Sequence, residues 1–219
     1  MENIKWLGHA SFYLVDQNSN KIYYVDPFNL KFTDQKKADV VFITHAHQDH
    51  FSLSDLEKII KDDTIIVAPP DILREIERRE TLKQAVVPNN SYDVNGFKFQ
   101  TAPAYNTNVE KLHFHPKTNN WVGYIFELNG KKIYHAGDTD FIPEMKDLNK
   151  LNLDVALLPI GGKFTMETEE AAEAANAIAA KTTIPMHYKR LNPNNYHELE
   201  LKFKILVTNS EAVILKELK

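Results

Sequence analysis

Asp39-Val40-Val41-Phe42-Ile43 runs directly into Thr44-His45-Ala46-His47-Gln48-Asp49-His50. The first five residues read as a short buried strand, because β-branched and aromatic side chains fill it without a polar break. The segment that follows sets three histidines and one aspartate within six residues at the strand's end. On an extended chain, residues two apart point the same way, roughly 6.5–7 Å from each other, so His45 and His47 can both reach one metal ion at ~2.0–2.1 Å. Where the chain turns toward the next helix, Asp49 and His50 can swing to a second ion. A helix N-terminus repels cations, and Asp49 supplies the compensating carboxylate.

Short strands and helices alternate to either side of this cluster, with no low-complexity linker and no clear domain boundary, so residues 1–219 read as one domain. Further strands are expected at Ala10–Val15, Lys21–Val25, Thr64–Ala68, Phe97–Thr101, Val122–Leu128, Lys132–His135, Val155–Pro159 and Val213–Glu217. Each is rich in Val, Ile, Phe or Tyr and is bounded by turn-forming residues. Asn129-Gly130 reads as a hairpin turn. Helices are expected from Ser54 to about Lys61, with Ser54 and Glu57 as a capping box, and over Asp71–Glu80. Others are expected over Glu169–Ala180, with Thr168 as its cap, and near Pro143–Leu148.

The chain also repeats itself. Lys21-Ile22-Tyr23-Tyr24-Val25-Asp26 returns as Lys132-Ile133-Tyr134-His135-Ala136-Gly137-Asp138, allowing one inserted residue. An Asp-led apolar strand follows in each case, at Asp39 and at Asp154. A helix comes next, and then Thr64-Ile65-Ile66-Val67-Ala68-Pro69 or Thr183-Ile184-Pro185-Met186-His187. Two similar β-β-α-β halves with continuously apolar strands imply sheets covered by helices. Polar residues at matching strand ends should then converge on one cleft.

Composition narrows the functional classes. The 219 residues include no cysteine, which excludes disulfides, thiolate ligands and a cysteine nucleophile. A net charge of −4 gives no field that would gather nucleic acid or an anionic membrane. No apolar run approaches the ~18 residues needed to span a bilayer. The N-terminal MENIKWLGHASFYLV lacks a secretory pattern, so the cytoplasm is the expected location. There is no Gly-x-Ser-x-Gly elbow and no phosphate-binding Gly-x-x-x-x-Gly-Lys loop. Nothing in the sequence sets an oligomeric state.

His-x-His-x-Asp-His after a strand resembles the signature of the metallo-β-lactamase superfamily, and the likeness spans nearly the whole chain. Gly8-His9-Ala10-Ser11-Phe12 and Asp26-Pro27 resemble the opening of the branch that includes ascorbate-phosphate lactonases. Tyr134-His135-Ala136-Gly137-Asp138-Thr139-Asp140, Gly161-Gly162, Thr165-Met166 and Ile184-Pro185-Met186-His187-Tyr188 resemble the same metal-dependent hydrolases. The resemblance implies an α/β fold of the four-layered αβ/βα sandwich type, with two mixed sheets flanked by helices. It implies that His45 and His47 bind a first metal, that Asp49, His50 and His187 bind a second, and that Asp138 bridges the two.

The superfamily's usual third histidine for the first metal has no counterpart at Ala102-Pro103-Ala104-Tyr105-Asn106. His115, His113 and Asn106 are the candidates to replace it. His115 is preferred because Pro116 fixes the chain behind it. His9 is a candidate to support the ligands, whereas His135 reads as structural and His197 as solvated. Gly161-Gly162-Lys163, Lys189 and Arg190 could meet an anionic substrate.

The expected activity is hydrolysis of an ester, lactone or phosphodiester by metal-activated water, with Asp49 also moving a proton to the leaving group. Two zinc ions per chain are expected, and manganese or iron accepts the same donors. The substrate is expected to be a small molecule, phosphorylated or a cyclic ester. A non-catalytic metal sensor or scaffold on the same fold is the alternative, and an iron redox enzyme is a third reading.

Overall fold

The computed structural model describes residues 3–31, 35–76 and 81–218. They divide into two compact units, Met1–Val87 with Leu215–Lys219, and Pro88–Ile214. In the first unit, β1 (Ile4–Gly8), β2 (Ser11–Val15), β3 (Ile22–Val25), β4 (Val40–Phe42), β5 (Ile65–Ala68) and β6 (Leu82–Ala85) form a sheet in chain order. The first three strands pair antiparallel and β3 to β6 pair parallel. Helices α1 (Leu53–Ile59) and α2 (Pro70–Glu75) set Leu56, Ile59 and Ile72 in one core with Tyr24, Val41, Ile43 and Ile66. Alternate residues of β4 and β5 are buried too, which is why these strands are apolar without alternation.

In the second unit, β7 (Ser91–Val94), β8 (Phe97–Pro103), β9 (Val122–Leu128), β10 (Lys131–His135), β11 (Val155–Pro159), β12 (Thr182–Met186) and β13 (Glu211–Ala212) also form a mixed sheet, in the order β13-β12-β11-β10-β9-β8-β7. Asn129 and Gly130 turn β9 into β10 with φ of 53° and 71°, as the sequence predicts. Helix α3 (Thr168–Ile178) buries Ala171, Ala172, Ala174, Ala175 and Ile178, small side chains that let it lie close to its neighbours. It packs on β11, on helix α4 (Tyr196–Leu206) and on a 3-10 helix at Pro143–Leu151. The expectation of two mixed sheets flanked by helices holds.

The repeat is topological as well as sequential. In each unit an antiparallel neighbour leads into three parallel strands, β3-β4-β5 and β10-β11-β12. Asp39 and Asp154 hold equivalent positions. Asp39 accepts from Ile22 N at 2.7 Å and Lys61 Nζ at 2.8 Å, and Asp154 from Lys132 N at 2.8 Å and Lys181 Nζ at 2.7 Å. The pairing Tyr23 with Val40 and Ile133 with Val155 shifts the match by one residue, so that Ile22 corresponds to Lys132.

Several boundaries differ from expectation. Helix α1 is capped by Ser52, whose hydroxyl accepts from Asp55 N and donates to Asp55 Oδ2, so Ser54 lies inside the helix. Thr168 is helical rather than the cap. Glu167 takes that place without a side-chain bond, and Glu169 and Glu170 offset the helix N-terminus. Helix α2 ends at Glu75, and the end of the expected Asp71–Glu80 lies outside the described residues. No strand covers Val213–Glu217. Glu211–Ala212 pairs with β12 instead, and Glu217 makes a single bridge to Trp6. Helix α4 escapes the sequence pattern because Leu201 and Ile205 stay exposed and Phe203 alone is buried.

Candidate metal centre

In the first unit, β4 delivers Thr44 and His45 from its end, and the chain then winds back before α1. Asp26, just past β3 at a φ of 46°, lies fully buried beneath this turn. Its carboxylate accepts from Thr44 N at 2.8 Å, from Thr44 Oγ1 at 2.7 Å and from His50 Nδ1 at 2.7 Å. The Thr44 hydroxyl has one proton and gives it to Asp26, so it accepts from His45 Nδ1 at 2.9 Å. One carboxylate therefore fixes the tautomers of two imidazoles and leaves Nε2 of His45 and of His50 as bases.

His45 Nε2 and His47 Nδ1 lie 3.1 Å apart. Two tetrahedral ligands at ~2.0–2.1 Å from one ion are separated by ~3.3 Å, so the pair suits a shared cation. His9, Asp49 and His50 each place a donor atom within 4.8 Å of the other two. Asp49 Oδ2 sits 2.9 Å from His9 Nε2, and its side chain is 36% exposed where His9 is buried. Trp6 Nε1 donates to His9 O at 2.8 Å and steadies its left-handed backbone.

In the second unit, β10 leads through Ala136-Gly137 to Asp138, and β12 ends at His187. Asp138 Oδ2 lies 3.0 Å from His187 Nε2 and 3.5 Å from His115 Nε2, all three residues buried. Asn106 orients His115. Its amide donates to Asp140 Oδ1 at 2.9 Å and to Phe164 O at 3.0 Å, so its oxygen is the acceptor for His115 Nδ1 at 2.8 Å. His115 Nε2 is then basic and faces a carboxylate oxygen, an arrangement that attracts a proton or a metal ion between the two. Asp140 also accepts from Thr107 N and Asn108 N, at 2.7 and 2.9 Å, and so shapes the loop that carries Asn106. Gly161 lies so close to His187 that a Cβ there would stand 2.1 Å from His187 O.

The sequence-expected residues thus gather as His45, His47, Asp49 and His50 in one unit and His115, Asp138 and His187 in the other. Within each unit, imidazoles beside a carboxylate are donors of the kind that divalent zinc, manganese or iron accepts, and hydrogen bonds fix the tautomers of His45, His50 and His115. Asn106 commits its amide to Asp140 and Phe164 and its oxygen to His115, and His113 is exposed against Phe114, with ring centroids 3.9 Å apart. His135 is buried and accepts from Gly137 N, and His197 is exposed beside Glu200. Asp26, Thr44 and Asp140 act as orienting groups that sequence alone does not single out. All three lie in or beside the histidine and aspartate motifs, but only the hydrogen bonds reveal their role.

A family model described as a β-lactamase superfamily domain matches residues 3–187. A UPF0173 metal-dependent hydrolase from Pyrococcus abyssi is 36% identical, over 99% of this chain and 97% of that protein. A crystal structure of a Parabacteroides distasonis protein, 30% identical, superposes with a TM-score of 0.84 and covers 99% of this chain and 93% of that one. The metallo-β-lactamase fold protein YhfI from Bacillus subtilis, 12% identical, gives a TM-score of 0.73 over 98% and 96% of the two chains. The chain belongs to the β-lactamase superfamily and, within it, to the UPF0173 metal-dependent hydrolases.

Proposed function

We propose that the two clusters share one dinuclear centre and that the protein hydrolyses an ester, lactone or phosphodiester bond of a small molecule. His45, His47 and His115 would hold one ion, and Asp49, His50 and His187 the other. Asp138 would bridge them, and zinc is the metal proposed. The observation that carries this reading is the buried Asp138 carboxylate between His187 and His115, at 3.0 and 3.5 Å. When bound, the two cations supply an acidified water as nucleophile and Lewis acidity at the attacked bond.

The chain's own groups do the rest. Asp26 and Asn106 keep the ligating nitrogens deprotonated by taking the proton on the opposite side of each ring. Asp49 is the part-exposed carboxylate of the proposed set, and with His9 holding it at Oδ2 it can take the proton that the attacking water gives up and pass it to the leaving oxygen. Burial of His45, His50, Asp138 and His187 keeps bulk water from competing for them. A chain without cysteine asks nothing of an oxidising compartment, and the cytoplasm remains the proposed location. Among the described residues no helix is long and apolar enough to cross a membrane.

Asp138→Ala tests the reading. The variant should lose at least one bound cation per chain and its turnover of bis(4-nitrophenyl) phosphate and of a lactone panel. Full metal content with an unchanged rate would overturn the assignment.

A further inference from the structure

Linked to the proposed ligand His115 by the chain and through Asn106, the second unit carries an aromatic and basic lip. Phe114 precedes His115 in the chain and meets Phe164 edge to face, with ring centroids 4.7 Å apart at 88°. Both rings are part exposed. Lys163 Nζ stands 4.9 Å over the Phe164 ring, and among the described residues no carboxylate lies within ion-pair reach of it. Lys163 is itself exposed, with a φ of 36°. Val109 and Leu112, 82% and 42% exposed, add apolar surface to the Phe114 loop.

The lip is held rigidly, and it is tied to the ligands. Lys111 Nζ donates to Thr165 O at 2.7 Å, and Thr165 N to Gly162 O at 2.8 Å. The Asn106 side chain bonds Phe164 O on one side and His115 Nδ1 on the other, so the Phe164 backbone and the proposed ligand keep one spacing. Gly161, at the foot of the same loop, abuts His187 O. Part-exposed aromatic rings, an uncommitted ammonium and pinned backbone beside reactive groups are the ingredients of a preorganised recognition site.

We propose that Lys163, Phe164 and Phe114 form the substrate-recognition subsite, selecting a molecule in which an anionic group adjoins an apolar ring. This rests on the hydrolase reading above and narrows its substrate class. Lys163 pairs with the anion, and the two phenyl rings pack on the apolar part. A neutral ester, or an anion without an apolar ring, uses half the subsite and binds correspondingly less well.

Calorimetric titration of the metal-loaded full chain with phenylphosphonate and methylphosphonate tests it. The aromatic ligand should bind about tenfold tighter than the methyl one in the wild type. Phe164→Ala should bring that ratio close to one, and Lys163→Gln should weaken both ligands by about three- to tenfold, with metal content unchanged. Phe164→Leu keeps the volume and loses the ring, should the alanine variant not fold. Phenylphosphonate affinity indifferent to both positions would overturn the subsite, whatever the turnover. A subsite that behaves as described in a protein that hydrolyses neither bis(4-nitrophenyl) phosphate nor any lactone would leave it standing and remove the hydrolase reading.

Discussion

Asp26 accepts three hydrogen bonds at 2.7–2.8 Å while wholly removed from solvent. A buried carboxylate is costly unless its oxygens are satisfied, and here the partners that satisfy it stand next to the proposed ligands. Two imidazoles depend on it, His50 directly and His45 through the Thr44 hydroxyl. Asp26→Asn keeps the shape but offers an amide group where His50 Nδ1–H needs an acceptor. We expect metal affinity to fall about 10–100-fold, read by competition with a chromophoric chelator, with the circular dichroism spectrum preserved. Unaltered affinity would mean that the Asp26 bonds are only structural. In the second unit Asn106 plays the matching part for His115. The clustering of imidazoles at the strand end was legible in the sequence because the motif is local. The orienting groups were not, since Asp and Thr beside a turn read the same whether they cap, bend or hold a neighbour's proton.

At the scale of elements, both halves start their first parallel strand pair with the same device, an aspartate taking a backbone amide and a lysine ammonium. Lys181 beside Asp154 holds that carboxyl below the usual range, and Asp39 is the chief cause of the raised pKa of Lys61. The strand repeat was readable from residue order, but its register was off by one, because only strand pairing fixes which residue faces which. Helix α1 shows another limit. Asp55 inside it binds Asn29 N, Leu30 N, Ser52 Oγ and Lys58 Nζ, contacts up to 26 residues away that no local pattern reveals. Burial pushes the Asp55 carboxyl up, but Lys58, Ser52 and the two amides outweigh it and hold the group below its ordinary value. The unfolded chain thus binds the proton more readily, so this stabilisation is complete above the ordinary carboxylate pKa and drains away as pH falls through the lowered one. Asp55→Asn should cost about 2–3 kcal/mol in urea titrations at pH 7 and less in acid. An equal cost at both pH values would contradict the assignment.

For the molecule as a whole, the family and the sheets were open to a sequence reading, since periodic apolar strands and a dense histidine motif are both local signals. The recognition lip was only half visible. Gly161-Gly162-Lys163 stood out as a place for an anion, but the neighbouring Phe164 meets Phe114 in a contact across 50 residues of chain. The central claim is that His45, His47, Asp49, His50, His115, Asp138 and His187 share a pair of divalent cations. Anomalous diffraction from zinc-loaded crystals, recorded on both sides of the zinc edge, tests it most directly. The account predicts two strong peaks per chain with the Asp138 carboxylate touching both. Peaks elsewhere, or zinc bound by one of the two clusters with Asp138 remote from it, would contradict it.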